Sequence, residues 1–185
     1  MLRIFSVTCV VVLLLSGCAQ FNDVSDHGMI LRQKISEGCS FTANIVAVFS
    51  DASYSFTVNC MVNSVGEMDF AVVHPDSISG ITGKVSAAGG SITFDETVLA
   101  FPLLADGEIS PVCAPWLCVR SMMGGYLRSS GIDGEQVRLT IDDSFSGENL
   151  QTDIWLAANE TPEYGEILWN GRKVLSVHFD NFHFV

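Results

Sequence analysis

Hydrophobic and polar residues alternate along two neighbouring stretches, and this alternation is the period of a β-strand with one buried face. Residues 41–49 are apolar at the odd positions, and residues 54–62 are apolar at the even positions. The sequence Asp51-Ala52-Ser53 lies between them and is typical of a turn. The pattern therefore predicts an antiparallel hairpin with one apolar face.

Further short strands are predicted along the rest of the chain, at residues 66–72, 81–85, 91–95, 137–141, 152–157, 165–169 and 174–184. Pro75 ends the first of these strands, because proline cannot continue a β-ladder. Residues 98–104 are apolar and fit either a strand or a helix. The dipeptide Asn170-Gly171 predicts a tight turn between the last two strands.

Two segments have the period of a helix instead. Residues 29–37 form the first, and Gly38 is placed to end it. The second begins at Ser110-Pro111, and Pro115 is early enough to separate a first turn from it. It is predicted to run to the glycines at 131–134, with apolar residues at helical spacing: Val112, Trp116, Val119, Met123, Tyr126 and Leu127. The predicted fold class is α+β, with one curved antiparallel sheet and helices on one face.

The N-terminus has the features of a bacterial lipoprotein signal. Arg3 is the only charge in the first twenty-two residues, and the apolar run at 7–15 is too short to span a bilayer. The run ends in Leu15-Ser16-Gly17-Cys18, which resembles a lipobox, whose cysteine receives a diacylglyceryl group. We expect a signal peptide at 1–17, a tether at 18–27, one domain at 28–185, and lipid anchoring on the extracytoplasmic face of the cell membrane.

Composition restricts the partners. Hydrophobic residues make up 48% of the 185 residues and charged residues 16%, which is too apolar for a disordered chain. The formal net charge of −12 argues against a nucleic-acid partner. The membrane, a lipid ligand and an envelope protein are the partners that we expect.

Export outside the cytoplasm permits disulfides among four cysteines of the predicted domain: Cys39, Cys60, Cys113 and Cys118. Simple hairpin register places Cys60 nearer residue 44 than Cys39, so a Cys39–Cys60 bridge requires a bend. A Cys113–Cys118 bridge would close a short helical stretch. Buried free thiols are the alternative. No CxxC motif is present, so neither a zinc ribbon nor a thioredoxin-like site is predicted.

Candidate catalytic groups are few. His74, Asp76 and Ser77 form a triad on paper, but no G-x-S-x-G elbow accompanies them. His178 and His183 are five residues apart, so a regular strand points them to opposite faces and away from a shared metal. We predict no enzyme activity, no metal site and no cofactor.

Three stretches carry a resemblance to a known family: FTANIVAVFSDASYSFTVNC, VVHPDSISGITGKV and WLAANETPEYGEILWNGRKVLSVHFDNFHF. Together with the order of elements, they resemble the bacterial lipoprotein-localisation superfamily, which includes the LolA and LolB carriers and related lipoproteins. The resemblance covers most of residues 29–185. It implies an unclosed β-barrel in which an N-terminal helix and a central helical lid cover a hydrophobic cavity that binds acyl chains.

Two functions follow. The first is a lipoprotein that binds a lipid or acyl chain between sheet and helices, in a cavity lined by Phe41, Ile45, Phe56, Val58, Phe70, Val72, Trp116, Val119 and Met123. The alternative is a non-catalytic lipoprotein that holds a protein partner at the membrane surface, for example a spore-germination or envelope-assembly factor. In that case the same apolar residues fill a core.

Overall fold

The computed structural model describes residues 22–49, 52–105, 108–144 and 149–185. The predicted signal peptide and the predicted lipidation site at Cys18 lie outside these ranges. Within them, no helix combines the length and the hydropathy needed to cross a bilayer.

Thirteen strands, two α-helices and two short 3-10 helices make up the described chain. The helices are α1 (Asn22–Ile35) and α2 (Ala114–Gly124), and the 3-10 turns are Asp76–Ile78 and Pro111–Cys113. The strands are β1 (Cys39–Phe49), β2 (Ala52–Val62), β3 (Met68–His74), β4 (Thr82–Ser86), β5 (Gly89–Phe94), β6 (Thr97–Phe101), β7 (Leu104–Ala105), β8 (Glu108–Ile109), β9 (Tyr126–Asp133), β10 (Gln136–Asp142), β11 (Leu150–Leu156), β12 (Pro162–Trp169) and β13 (Arg172–Phe184).

Eleven of these strands form one antiparallel sheet in the order β6-β5-β4-β3-β2-β1-β13-β12-β11-β10-β9, and β7 pairs with β8 separately. The end strands β6 and β9 do not pair with each other, so the sheet is not closed. The predicted α+β class and unclosed sheet are therefore confirmed. The apolar segment at 98–104, which fitted either type of element, begins as strand β6.

The first hairpin is present, but its turn is earlier than predicted. Phe49 pairs with Ala52, so the connection consists of residues 50 and 51 rather than 51–53. As a result Cys60 lies opposite Phe41, not near residue 44, and Cys39 lies opposite Val62. Cys39 and Cys60 are diagonal neighbours on one face of the sheet.

Helix α2 covers one face of the sheet, which we call the inner face; the opposite face is the outer face. The helix contacts strands from β2 through β1 and β13 to β10, so the sheet wraps around it. A separate 3-10 turn precedes it, as Pro115 suggested. Its apolar residues, including Trp116, Leu117 and Val119, are buried with the inward side chains of these strands.

The central helix is shorter than predicted. It ends at Gly124, and residues 126–133 form β9 beside β10. Tyr126, expected on the apolar helical stripe, is 75% exposed. Two consecutive glycines disfavour a helix by about 1 kcal/mol each. Gly125 also passes so close to the sheet that a Cβ there would lie 2.4 Å from Ile141 Cγ2.

Helix α1 begins at Asn22, inside the segment 18–27 that we expected to be a tether. Leu31 and Ile35 are buried, and the helix packs against α2 and β9. The Arg32 guanidinium donates hydrogen bonds to the carbonyl oxygens of Met122 and Gly125, where α2 ends. Residues 22–28 lack the apolar spacing that identified the rest of the helix, and the boundary was misplaced for that reason.

Candidate functional site

Most of the nine residues predicted to line a cavity belong to a packed core. Phe56 and Met123 are half-buried. The others are between 0 and 7% exposed: Phe41, Ile45, Val58, Phe70, Val72, Trp116 and Val119. Around Phe41 the packing is aromatic, with the Phe182 ring stacked at 5.1 Å between centroids and the Phe179 ring edge-on at 5.2 Å. The seven buried residues are part of the hydrophobic core, and Phe56 and Met123 pack against it.

Open space lies at the margin of this core, in a pocket of about 530 Å³ that we call the mouth pocket. One wall is the side of α2 that carries Trp116, Arg120 and Met123. The other walls are the β2–β3 turn around Val65 and the β4–β5 turn at 86–88. Its volume lies within the range of small-molecule sites. Of the predicted lining residues, Trp116 and Met123 are the two that line this pocket.

Trp116 connects the core to the mouth pocket. Its side chain is 2% exposed, and its indole Nε1 donates a hydrogen bond to the carbonyl oxygen of Gly66 at 2.7 Å. Arg120, one helical turn later, has its guanidinium carbon 5.4 Å from the centre of the indole ring. Met123 lies on the same side of the helix. The pocket thus combines an aromatic wall, a flexible thioether and a cation.

A polar cluster behind Arg120 ties α2 to the sheet. The Arg120 guanidinium lies 3.3 Å from Asp143 Oδ1, and the Ser121 hydroxyl donates to Asp143 Oδ2 at 3.3 Å. Ser121 Oγ and Thr152 Oγ1 are 3.0 Å apart, both fully buried. Burial raises the pKa of Asp143, and the charge of Arg120 and the hydrogen bond from Ser121 oppose that rise.

A second cavity, of about 640 Å³, follows the outer face of β2–β6, and we call it the outer groove. Met61 and Val98 supply apolar lining. Lys84 and Asp69 form an ion pair within it, with Nζ 2.7 Å from Oδ1. Sequence analysis did not predict this groove. The available signal was that Met61 and Val98 are apolar residues at outward positions of their strands, where polar residues are usual.

All four domain cysteines are free thiols in the structure, and all are buried. Burial raises the pKa of Cys39 and Cys113 to about 12, and it raises the pKa values of Cys60 and Cys118 as well. The diagonal register of the first hairpin separates Cys39 from Cys60. Buried neutral thiols of this kind behave as small apolar groups.

The histidines lie at the surface. His74 Nδ1 is 3.7 Å from Asp76 Oδ1, with both side chains largely exposed. His178 and His183 are both exposed, because an irregularity in the pairing with β1 and a positive φ at Asn181 reverse the alternation of β13. Opposite faces were expected of a regular strand, and β13 is irregular between these two residues. Within the described ranges, no three His, Cys, Asp or Glu side chains are grouped as metal ligands.

Neither the models of protein families nor the curated proteins include a match to this sequence. Several solved structures are similar in fold. A domain from Vibrio parahaemolyticus, named for outer membrane lipoprotein sorting, aligns over 87% of this chain and 92% of its own, with 9% identity and a TM-score of 0.50. An uncharacterised conserved protein from Thermus thermophilus covers 87% and 86%, with 8% identity and a TM-score of 0.48.

A LolA superfamily protein from Nitrosomonas europaea is also similar, covering 85% of this chain and 93% of its own, with 9% identity and a TM-score of 0.43. At such identities the likeness concerns the fold. The unclosed sheet and helices that the resemblance implied are confirmed at that level: this chain shares its fold with the lipoprotein-sorting domain from Vibrio parahaemolyticus.

Proposed function

We propose that this protein is a non-catalytic, membrane-anchored envelope lipoprotein that binds a lipid acyl chain in the mouth pocket. The observation that carries the proposal is the pocket itself: about 530 Å³ of space between α2 and two turns of the sheet, with Trp116, Met123 and Val65 in its walls. Apolar surface removed from water there contributes about 25 cal/mol per Å².

The chemistry of the walls suits an amphipathic ligand. Met123 has an unbranched, polarizable side chain that adapts to irregular apolar shapes. Arg120 faces the same space and supplies a positive charge beside the aromatic wall. An acyl chain along Trp116 and Met123 would bring an anionic or zwitterionic headgroup toward the Arg120 guanidinium. This site lies at the margin of the core, and of the nine residues first predicted to line a cavity it includes Trp116 and Met123.

Anchoring is proposed at Cys18, on the extracytoplasmic side. Two or more acyl chains hold a protein stably at a bilayer, whereas one chain holds it marginally. Helix α1 begins four residues after Cys18, and four extended residues span at most roughly 14 Å. The proposed anchor would therefore keep the domain within a short distance of the membrane surface, where lipids are available.

The test is fatty-acid binding by the chain from Ala19 onward, purified without detergent and extracted to remove lipid. A fluorescent fatty acid is titrated into the wild-type protein and into Val65→Asp and Met123→Asp variants. We expect at least tenfold weaker binding by both variants, because each places a charge in the apolar wall. Val48→Asp is the matched control, since Val48 is an exposed valine on the outer face. Equal binding by all four proteins, or no saturable binding by the wild type, would contradict the proposal.

The second candidate is a lipoprotein that holds a protein partner at the membrane surface. It is favoured by the packing of seven predicted cavity residues into the core, since a filled core leaves recognition to the surface. Native mass spectrometry of the same purified chain separates the candidates. A stoichiometric lipid adduct supports acyl-chain binding, whereas an apo mass together with a specific crosslinked partner in native membranes supports the second function.

A further inference from the structure

Strand β6 forms one edge of the large sheet, and among the residues that the structure describes it is paired by β5 alone. Its sequence, TVLAF, contains neither a charged residue nor a proline. Val98 is 63% exposed and Leu99 is 64% exposed, so apolar side chains are presented on both faces of the strand. Edges of this kind pair readily with another strand, and proteins commonly protect them with charges, proline or a covering element. The other edge, β9, is contacted by α1.

The backbone of β6 is arranged to accept a strand. Asp95 and Glu96 have φ angles of 47° and 65°, and Phe94 pairs with Thr97 across them, which defines a two-residue type I′ turn. In such a hairpin, Thr97, Leu99 and Phe101 exchange hydrogen bonds with β5. The N–H and C=O groups of the residues between them, Val98 and Ala100, then point away from the sheet. They form a regular row of two donors and two acceptors.

The outer groove continues from this edge. Val98 belongs to the edge strand and also lines the groove. Met61 and the Lys84–Asp69 ion pair line the groove farther from the edge. A strand added beside β6 would place alternate side chains next to Val98 and Ala100. Main-chain hydrogen bonds would supply affinity, and the groove would supply selection of side chains.

Charge indicates which strand fits. Lys84 is the only Lys or Arg between residues 50 and 110, whereas Asp and Glu occur eight times there. Asp95 and Glu96 stand at the start of β6, and Lys84 is already paired with Asp69. A second copy of this chain is disfavoured, because it would bring two net charges of −12 together. Two five-residue edges also offer far less area than the ~1,200 Å² of a stable interface.

We propose that β6 is a docking edge for an extended segment of a partner protein in which apolar residues alternate with Lys or Arg, added to the sheet as a twelfth strand. The proposal gives the partner-holding candidate a specific surface, and it is independent of acyl-chain binding at the mouth pocket.

The experiment uses the full chain in nanodiscs of phosphatidylcholine, which carries no net charge. The probe is a labelled synthetic heptapeptide of alternating lysine and valine, and binding is followed by fluorescence anisotropy. Val98→Pro removes an outward N–H without removing a bond to β5, so we expect at least tenfold weaker binding. Val98→Thr is the control, since it changes the side chain and keeps the N–H. A matched glutamate–valine heptapeptide should bind at least tenfold more weakly than the lysine probe.

Amide hydrogen exchange tests the same contact in the wild-type protein, with no dependence on how a proline variant folds. Bound lysine–valine peptide should slow exchange at Val98 and Ala100 by tenfold or more. Unchanged exchange at these amides, or equal binding of the two peptides, would overturn the proposal. A dimer by analytical ultracentrifugation that Val98→Pro dissociates would overturn it in favour of a second copy. Met123→Asp changes the mouth pocket and should leave peptide binding intact. Absence of peptide binding at β6 is therefore distinguishable from absence of fatty-acid binding in the mouth pocket.

Discussion

Replacing Trp116 with phenylalanine tests how the central helix is fixed to the sheet. The change keeps a ring in the core and removes the Nε1 donor that binds the Gly66 carbonyl at 2.7 Å. Removing the donor leaves the Gly66 carbonyl without this partner, which lowers the free energy of unfolding by about 1–3 kcal/mol. The low end of that range applies where water reaches the carbonyl. Gly66 is half-buried, and the smaller ring also reduces packing, so we expect about 2 kcal/mol. For a chain of 185 residues that corresponds to roughly 4–8 °C in Tm.

Urea unfolding followed by far-UV circular dichroism measures this loss without relying on tryptophan fluorescence. Trp155→Phe is the matched control: its Nε1 also donates a hydrogen bond, to Asp133 Oδ2 at 2.9 Å, but at the surface. Water replaces an exposed partner at little cost, so the control should lose less than about 0.5 kcal/mol. Equal losses of unfolding free energy in the two variants, or no loss in Trp116→Phe, would refute the role of the Trp116–Gly66 hydrogen bond in attaching α2 to the sheet.

Three further predictions concern the core and its polar cluster. Gly165→Ala should destabilise the protein by about 1–3 kcal/mol in urea unfolding, because its Cβ would lie 3.0 Å from Cys118 Sγ. Gly131→Ala is its control: an added Cβ would have nothing within 4 Å, so stability should change by less than about 0.5 kcal/mol. A larger loss in Gly131→Ala than in Gly165→Ala would contradict the close packing at Gly165. In the chain from residue 19, the four buried thiols should resist a thiol reagent when native and all react in guanidinium, whereas a lower denatured count would indicate a disulfide. The raised pKa of Asp143 means that the folded state binds this proton more tightly, so its contribution to stability falls as pH rises through that pKa. The stability of the wild type relative to Asp143→Asn should therefore fall between pH 4 and pH 7, and a rise would contradict the burial argument.

Elements with a clear period were predictable from the sequence, and their ends were less so. The hairpin at 41–62 was identified because each strand buries one face and exposes the other. The central helix was extended too far because Tyr126 and Leu127 happen to continue its spacing, whereas the glycines before them end it. Helix α1 was begun too late, since its first turns are polar and one of their contacts, from His27 to Glu160, joins residues distant in the sequence.

The candidate site was predictable in part, for a related reason. Periodicity shows which side chains point inward, and Phe41, Ile45 and Val58 do so. It does not show whether inward side chains meet or leave space, because that depends on the distance between α2 and the sheet. The mouth pocket is formed by two turns and a helix from separate parts of the chain. No local pattern describes such a junction.

The attachments of α2 bear on how a ligand would enter. Six hydrogen bonds of the described residues hold the helix: one from Trp116 to Gly66, one each from Arg120 and Ser121 to Asp143, one between Ser121 and Thr152, and two from Arg32 to the carbonyls at its end. At about 1 kcal/mol each, separating α2 from the sheet and from α1 costs on the order of 6 kcal/mol before any apolar surface is exposed. A ligand that binds beneath the helix must offset this cost, whereas one that binds at the mouth pocket leaves the six bonds in place. Entry between Trp116 and Met123 is therefore the route of lower cost.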